Sequence, residues 1–180
     1  MSRTGLFFAS STGNTRRIAK AIKKQFDDDT MADALNVNKA NAALVASYDY
    51  LIFGTSTLGG GQLPGLSTDC MGGGWEEFLP QLSEVDFTGK TVALFGLGDQ
   101  GKYPDEFVDA LGILYEFLVA RGARVVGQWP ADDYDFIASK ALVDDEFVGL
   151  VLDQENQKLL TDARVEAWLK LISPEFGLAV

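Results

Sequence analysis

The 180-residue chain contains no histidine and a single cysteine, Cys70. Without histidine there is no Ser-His-Asp or Cys-His nucleophile, no imidazole metal ligand and no imidazole proton switch. One cysteine cannot close an internal disulfide, which points to a reducing, cytoplasmic setting. Its thiol either links two chains on oxidation or serves as a small side chain. Nor does Cys70 fit the nucleophile of a Cys-x5-Arg phosphatase, because Glu76 stands at the arginine position. Positive charge is scarce: 15 Lys and Arg against 26 Asp and Glu leave a net charge of -11. A field of that sign disfavours nucleic acid and anionic membranes and steers toward basic partner surfaces. No apolar run reaches spanning length and no cleavable leader precedes the first strand. No Pro/Ser-rich linker or internal repeat marks a boundary, so a single domain over 1–180 is expected. Chemistry in such a chain has to come from a cofactor.

What is present begins at the first turn. Leu6-Phe7-Phe8-Ala9 opens into Ser10-Ser11-Thr12-Gly13-Asn14-Thr15, then into a helical pattern with Ile18, Ile22 and Phe26 as its apolar stripe. A strand that ends in a hydroxyl-rich, glycine-containing turn at a helix N-terminus offers backbone N–H groups, O–H donors and the positive end of the helix dipole to one anion. The lysine of a Gly-Lys-[Ser/Thr] triphosphate loop is absent, and the six residues hold no Lys or Arg. Such a cup suits a monoester phosphate. The same residue types populate ordinary βα turns and N-caps, so the hexamer alone leaves both readings open. Arg16 and Arg17 fall with Lys20, Lys23 and Lys24 on the face opposite the stripe.

Short, unalternating apolar runs recur at Leu6–Ala9, Leu35–Val37, Tyr50–Phe53, Thr91–Phe95 and Arg124–Gly127, with a second piece of the last at Phe147–Leu152. Strands covered on both faces read this way. With helical patterns between them, they predict a doubly wound α/β fold: a five-stranded parallel sheet with helices on both faces. One helix is expected from Pro104, with Phe107, Val108, Leu111, Leu114, Tyr115 and Leu118 facing the core until Gly122 ends it. The last helix starts near Thr161 and buries Val165, Trp168, Leu169 and Ile172.

Open α/β sheets bind ligands beyond the carboxyl ends of their strands, where strand order reverses. The loops that matter are therefore those after strands one, three and four. Strand three runs into Thr55-Ser56-Thr57-Leu58-Gly59-Gly60-Gly61-Gln62, and strand four into Gly96-Leu97-Gly98-Asp99-Gln100-Gly101-Lys102-Tyr103. The second segment matches G-x-G-x-x-G, but that dinucleotide fingerprint belongs to the first βα turn, and the following strand lacks an acidic end for a ribose. A phosphoacceptor receiver domain needs an Asp at the end of strand three, where this chain has Gly54-Thr55.

In that order, Ser10–Thr15, Thr55–Gly61 and Gly98-Asp99-Gln100 with Tyr103 resemble the flavodoxins over essentially the whole chain. The resemblance implies sheet order 2-1-3-4-5 and non-covalently bound flavin mononucleotide (FMN). Ser10, Ser11, Thr12, Gly13, Asn14 and Thr15 would take the phosphate. The loops with Thr55, Ser56, Thr57, Leu58, Gly59 and Gly60 and with Leu97, Gly98, Asp99 and Tyr103 would flank the isoalloxazine. It implies a low-potential one-electron carrier between neutral semiquinone and hydroquinone, with the Gly59–Gly60 peptide turning to meet the protonated flavin N5. Trp129–Glu146, between the halves of strand five, looks like the insertion of long-chain members and reads as a solvated loop bracing the edge strand, with an acidic docking face as the alternative. Leu63–Cys70 and Pro174–Leu178 look like nitrogen-fixation members. Expected partners are redox proteins with basic docking surfaces, including nitrogenase reductase and a flavodoxin-reducing oxidoreductase, met by a monomer. Leu58 where many members have Trp, Gln62 for Glu, Gly60 at a commonly acidic position and Lys102 for Gly all alter the cofactor's surroundings. An FMN-dependent NAD(P)H or quinone reductase of the same fold is the alternative.

Overall fold

The computed structural model describes residues 1–180. In chain order the elements are β1 (Thr4–Ala9), α1 (Asn14–Lys23), β2 (Leu35–Asn36), α2 (Ala42–Ala46), β3 (Tyr50–Ser56), α3 (Trp75–Gln81), β4 (Thr91–Leu97), α4 (Asp109–Val119), β5 (Arg124–Val126), β6 (Trp129–Pro130), β7 (Leu142–Val143), β8 (Glu146–Phe147), β9 (Leu150–Leu152) and α5 (Thr161–Phe176). The main sheet is parallel in the order β2-β1-β3-β4-β5, with β9 also on β4. β5 pairs with Thr91–Ala93 and β9 with Phe95–Leu97, so the two pieces together form one edge strand split by the intervening segment.

Strand residues feed two apolar layers alternately, as their period of two requires. Phe7, Ala9, Leu51, Phe53, Val92 and Leu94 face one layer with Trp75 and Phe78 of α3 and Leu111, Leu114 and Leu118 of α4. Leu6, Phe8, Ile52, Ala93 and Phe95 face the other, against Ile18 and Ile22 of α1 and Val165, Trp168, Leu169 and Ile172 of α5. Gly54 on β3 makes room for this second layer: a Cβ there would lie 2.1 Å from the Phe95 ring.

Four expected strand and helix boundaries need correction. The helix after strand four begins at Asp109, not Pro104. Pro104 instead gives its carbonyl to the amides of Ile137 and Ala138, and Phe107 N–H donates to Ala138 O, so the inserted segment claims the backbone that would have made the first turn. Val108 enters the helix at φ 49, an uncommon conformation for a β-branched residue, held by complete burial. Phe147 belongs to a separate antiparallel sheet, β6-β8-β7, so the second half of the edge strand starts at Leu150. Phe26 lies past the end of α1, which stops at Lys23. Val37 opens a single 3₁₀ turn rather than ending β2, because the Asn36 side chain accepts from Asn38 N–H.

The insertion is more than a solvated loop. Phe136, Tyr134 and Phe147 pack with Phe107 at ring-centroid distances of 5.2–6.0 Å, and Arg164 lies 4.3 Å over the Tyr134 ring. Tyr134 O–H donates to Val151 O on β9 at 2.5 Å, which braces the edge strand as expected. Asp135 N–H donates to Gln100 Oε1 at 2.6 Å, tying the insertion to the loop after β4.

Candidate functional site

Sheet order reverses between β1 and β3, and a cleft of about 420 Å³ opens there at the carboxyl ends of the strands. Three loops of the sequence reading meet in it: Ser11, Thr12 and Asn14 from the first, Ser56, Thr57 and Leu58 from the second, and Leu97, Gly98, Asp99 and Tyr103 from the third. Lys102 lines it as well. Ser10, Gly13, Thr15, Thr55, Gly59 and Gly60 stand behind or beside this lining.

At the head of α1 the backbone is prepared for an anion. Gly13, at φ 90, donates to Ser10 Oγ at 2.9 Å and turns the chain into the helix. The first helical bond is Arg17 N–H to Gly13 O, and the amides of Ser11, Thr12, Asn14, Thr15 and Arg16 have no protein acceptor. Thr15 is fully buried, and its Oγ1 has no hydrogen-bond partner. A buried hydroxyl without a partner is costly, and here it sits where the helix dipole favours negative charge. Ser56 Oγ, in the cleft lining, is likewise unpartnered. Both orphaned hydroxyls fit a phosphorylated ligand as the missing acceptor. Arg17 stays exposed but reaches back, Nη1 donating to Asn14 Oδ1 at 2.6 Å.

The second loop is a tight turn. Leu58 and Gln62 exchange backbone hydrogen bonds of 2.9 and 2.7 Å, leaving Gly59-Gly60-Gly61 as the tip. Gly59 is at φ 50, space around Gly60 is open, and neither residue donates or accepts a hydrogen bond. Thr57 Oγ1 accepts from Ala110 N–H in the first turn of α4, while Thr57 N–H donates to Leu97 O, so loops two and three are locked together beneath the tip. Thr55 points inward, its hydroxyl donating to Ser56 O.

In the third loop, Asp99 O accepts from Tyr103 N–H at 2.9 Å, and Asp99 Oδ1 accepts from Lys102 N–H and Asn156 Nδ2. Burial opposes ionisation of Asp99, but the Lys102 amide, Asn156, the Gly101 amide and the Lys102 charge together hold its carboxyl below the usual carboxylate range. Asp99 therefore carries negative charge into the cleft. Lys102 Nζ lies 5.5 Å over the Tyr103 ring. Sequence reading missed Gln154 and Glu155, which complete the cleft wall from the loop after β9. Their signal was the end of the split strand, which the strand-end rule also covers.

Cys70 is buried, with Sγ 3.5 Å from the carbonyls of Ser10 and Gly73. Burial, followed by the Glu77 charge, pushes its thiol upward, away from the reactive thiolate. Of its two sequence readings, the small side chain fits this placement, beneath the Ser10 turn. The bond to an exposed partner thiol does not.

A doubly wound parallel sheet in the order β2-β1-β3-β4-β5, with a cleft lined by three loops at its switch point, defines the flavodoxin-like class of α/β proteins. The family model described as Flavodoxin matches residues 6–168, and the chain belongs to that family. It is 50% identical over 173 residues to a flavodoxin of Klebsiella pneumoniae, covering 96% of this chain and 97% of that protein. Against a flavodoxin of Enterobacter agglomerans the identity is 51% over 176 residues, with 97% and 98% covered. Among solved structures, Fusobacterium nucleatum flavodoxin bound to flavin mononucleotide superposes with a TM-score of 0.83 at 32% identity, covering 98% of this chain and 99% of that one.

Proposed function

We propose that this chain, acting as one domain over residues 1–180, is a one-electron carrier that holds FMN without a covalent bond in the cleft between β1, β3 and β4. The observation that carries the reading is the phosphate cup: five free amides and the unpartnered buried Thr15 hydroxyl converge at the head of α1. Ser10–Thr15 take the phosphate. Leu58 and Tyr103 cover the two faces of the ring, one aliphatic and one aromatic, and Asp99 with Glu155 adds negative charge at the wall.

When bound, FMN supplies two successive one-electron steps, the first accompanied by a proton at N5. The Gly59–Gly60 peptide, free at both ends, would be able to turn its carbonyl toward a protonated N5 of the bound ring and accept from it. Asp99 disfavours added negative charge on the ring, which lowers the second potential. The working couple is therefore the second.

The net charge of -11 suits redox proteins with basic docking faces, among them a flavodoxin-reducing oxidoreductase, met by a monomer in the cytoplasm. No helix is long and apolar enough to cross a membrane. The likeness of the loop Leu63–Cys70 and the tail Pro174–Leu178 to nitrogen-fixation members supports a long-chain carrier with nitrogenase reductase as acceptor.

A stepwise reductive titration of the purified protein with FMN tests the core of this proposal. A blue, long-wavelength stage followed by bleaching at a depressed second midpoint is expected. A protein that refuses FMN, or loses colour in one two-electron step, refutes the proposal. Steady NAD(P)H oxidation with no partner protein would mark a reductase instead.

A further inference from the structure

The loops after β4 and β9 form one wall of the cleft, and a buried carboxylate joins them. Asp153 has no exposure and no Lys or Arg within ion-pair distance. Its charge is met by five N–H donors instead. Oδ2 accepts from Gln100 N–H at 3.0 Å, Gln100 Nε2 at 2.8 Å and Asn156 Nδ2 at 2.9 Å. Oδ1 accepts from the amides of Glu155 at 3.1 Å and Asn156 at 3.0 Å. Five donors satisfy both oxygens of the buried group without a counter-cation and fix its orientation.

Asn156 carries the connection outward. Its Nδ2 has two hydrogens and two carboxylate partners, Asp153 Oδ2 at 2.9 Å and Asp99 Oδ1 at 2.8 Å. The Asn156 backbone amide is also held by Asp153, so the residue is anchored by main chain and side chain alike to the carboxylate that shares its Nδ2 with Asp99. We propose that Asp153 is a positioning residue: through Asn156 it fixes Asp99 as an ionised carboxylate on the cleft wall, and so sets the charge against which FMN is reduced. The redox half of this statement rests on the carrier reading above; the link from Asp153 to Asp99 does not.

The charged and titratable groups facing Asp99 are Lys102 and Tyr103 on its own loop and Asp153 and Glu155 on the loop after β9. The loops after β1 and β3 bring only uncharged residues to the cleft. This makes the sign of one substitution decisive. If Asp153 acted on Asp99 only by repulsion, Asp153→Asn would make Asp99 easier to ionise and lower its pKa. If Asp153 acts by holding Asn156, the same change frees the amide from Asp99 and raises its pKa.

The test is a carbon-detected carboxyl NMR titration of Asp99 in the full chain, with and without FMN, the signal assigned by its loss in Asp99→Asn. Asp153→Asn and Asn156→Ala are each expected to raise the Asp99 pKa. In the FMN-loaded variants, the pH at which the second midpoint changes slope should rise with it. An Asp99 titration that falls or stays in place in Asp153→Asn overturns the proposal. Should that variant not fold, an unmoved titration in Asn156→Ala overturns it equally. A shifted Asp99 with an unmoved potential profile refutes the redox role. Failure to take up FMN refutes the carrier reading, while the carboxyl titration still decides the structural link.

Discussion

Thr15 shows at a single residue how a binding site differs from a packed core. Its hydroxyl is buried with no partner, so within the protein it contributes only a desolvation cost. Replacing it with the isosteric valine is expected to leave the FMN-free protein as stable as before, or slightly more so. The same change should weaken FMN binding about 10- to 100-fold, the worth of one hydrogen bond to a charged group. Fluorescence titration and thermal melts of the FMN-free protein measure the two effects separately, and a loss of stability with affinity intact would contradict the assignment. Two other residues bear on the potential rather than the affinity. Lys102 lines the cleft beside Tyr103, and Gln62 reaches to 2.9 Å from where a Cβ on Gly59 would lie. The Lys102 cation offsets the field of Asp99, while the neutral Gln62 adds no charge where a carboxylate would add one. Lys102→Gly and Gln62→Glu should therefore each lower the second midpoint in a redox titration, by amounts that shrink as salt is added. A midpoint that does not drop in either variant shows that neither residue tunes the flavin.

Elements pose a different question, because the insertion is held by the main core, where Ala141 and Phe147 share one apolar layer with Phe107 and Leu111. Burial dominates, outweighing the Arg164 charge and the Trp129 N–H that favour the phenolate, and with smaller help from the Asp133 and Asp153 charges it leaves the Tyr134 phenol pushed up to about 12. The folded protein thus keeps that proton longer than the unfolded chain, whose tyrosines titrate near about 10. The stability this supplies is complete below the unfolded value and is lost as pH rises through the folded one. Tyr134→Phe should cost about 1–3 kcal/mol at neutral pH, since Val151 O and Trp129 Nε1 lose their partner, and should flatten the alkaline fall in melting temperature. The β7–β8 hairpin turns on Asp144 and Asp145 at φ 52 and 67, values that suit glycine better than aspartate. Asp145→Gly is expected to raise stability by about 0.5 kcal/mol in a denaturant titration. Neither feature was legible beforehand. The five main strands and the stripes of α1 and α5 were, because burial on both faces and a 3.6-residue period are local signals. The late start of α4 was not, because it depends on Ala138 and Pro104 meeting across the insertion. Phe147 read as strand correctly but joined the wrong sheet, since alternation says nothing about which partner a two-residue strand will choose.

At the scale of the whole molecule, the site was readable because the parallel fold sends three loops to one end, and those loops are polar, long and glycine-rich in the sequence. Its fourth wall was not, since Gln154 and Glu155 follow a strand split by the insertion, and Asp153 looks like any acidic residue until burial exposes its cage of donors. Charge is the other property that belongs to the molecule and not to a part. All six acidic residues of the insertion, Asp132, Asp133, Asp135, Asp144, Asp145 and Glu146, are exposed, and they add to a net charge of -11 that acts at long range. Between about 0.01 M and about 0.15 M salt the screening length falls from about 30 Å to about 8 Å. Electron transfer to a basic acceptor should then slow by roughly tenfold or more, measured by stopped-flow at matched driving force. A general field and a local docking face part company when the six insertion carboxylates are changed to amides. The field predicts a shallower salt dependence in proportion to the charge removed, with FMN binding unchanged. A docking face centred on the insertion predicts that the salt dependence collapses almost entirely. Because the insertion is braced against β9 and tied to Gln100, and because the other acidic residues lie outside it, the proportional outcome is the one expected. A rate indifferent to salt in the unaltered protein would remove electrostatic steering from the account of its partners.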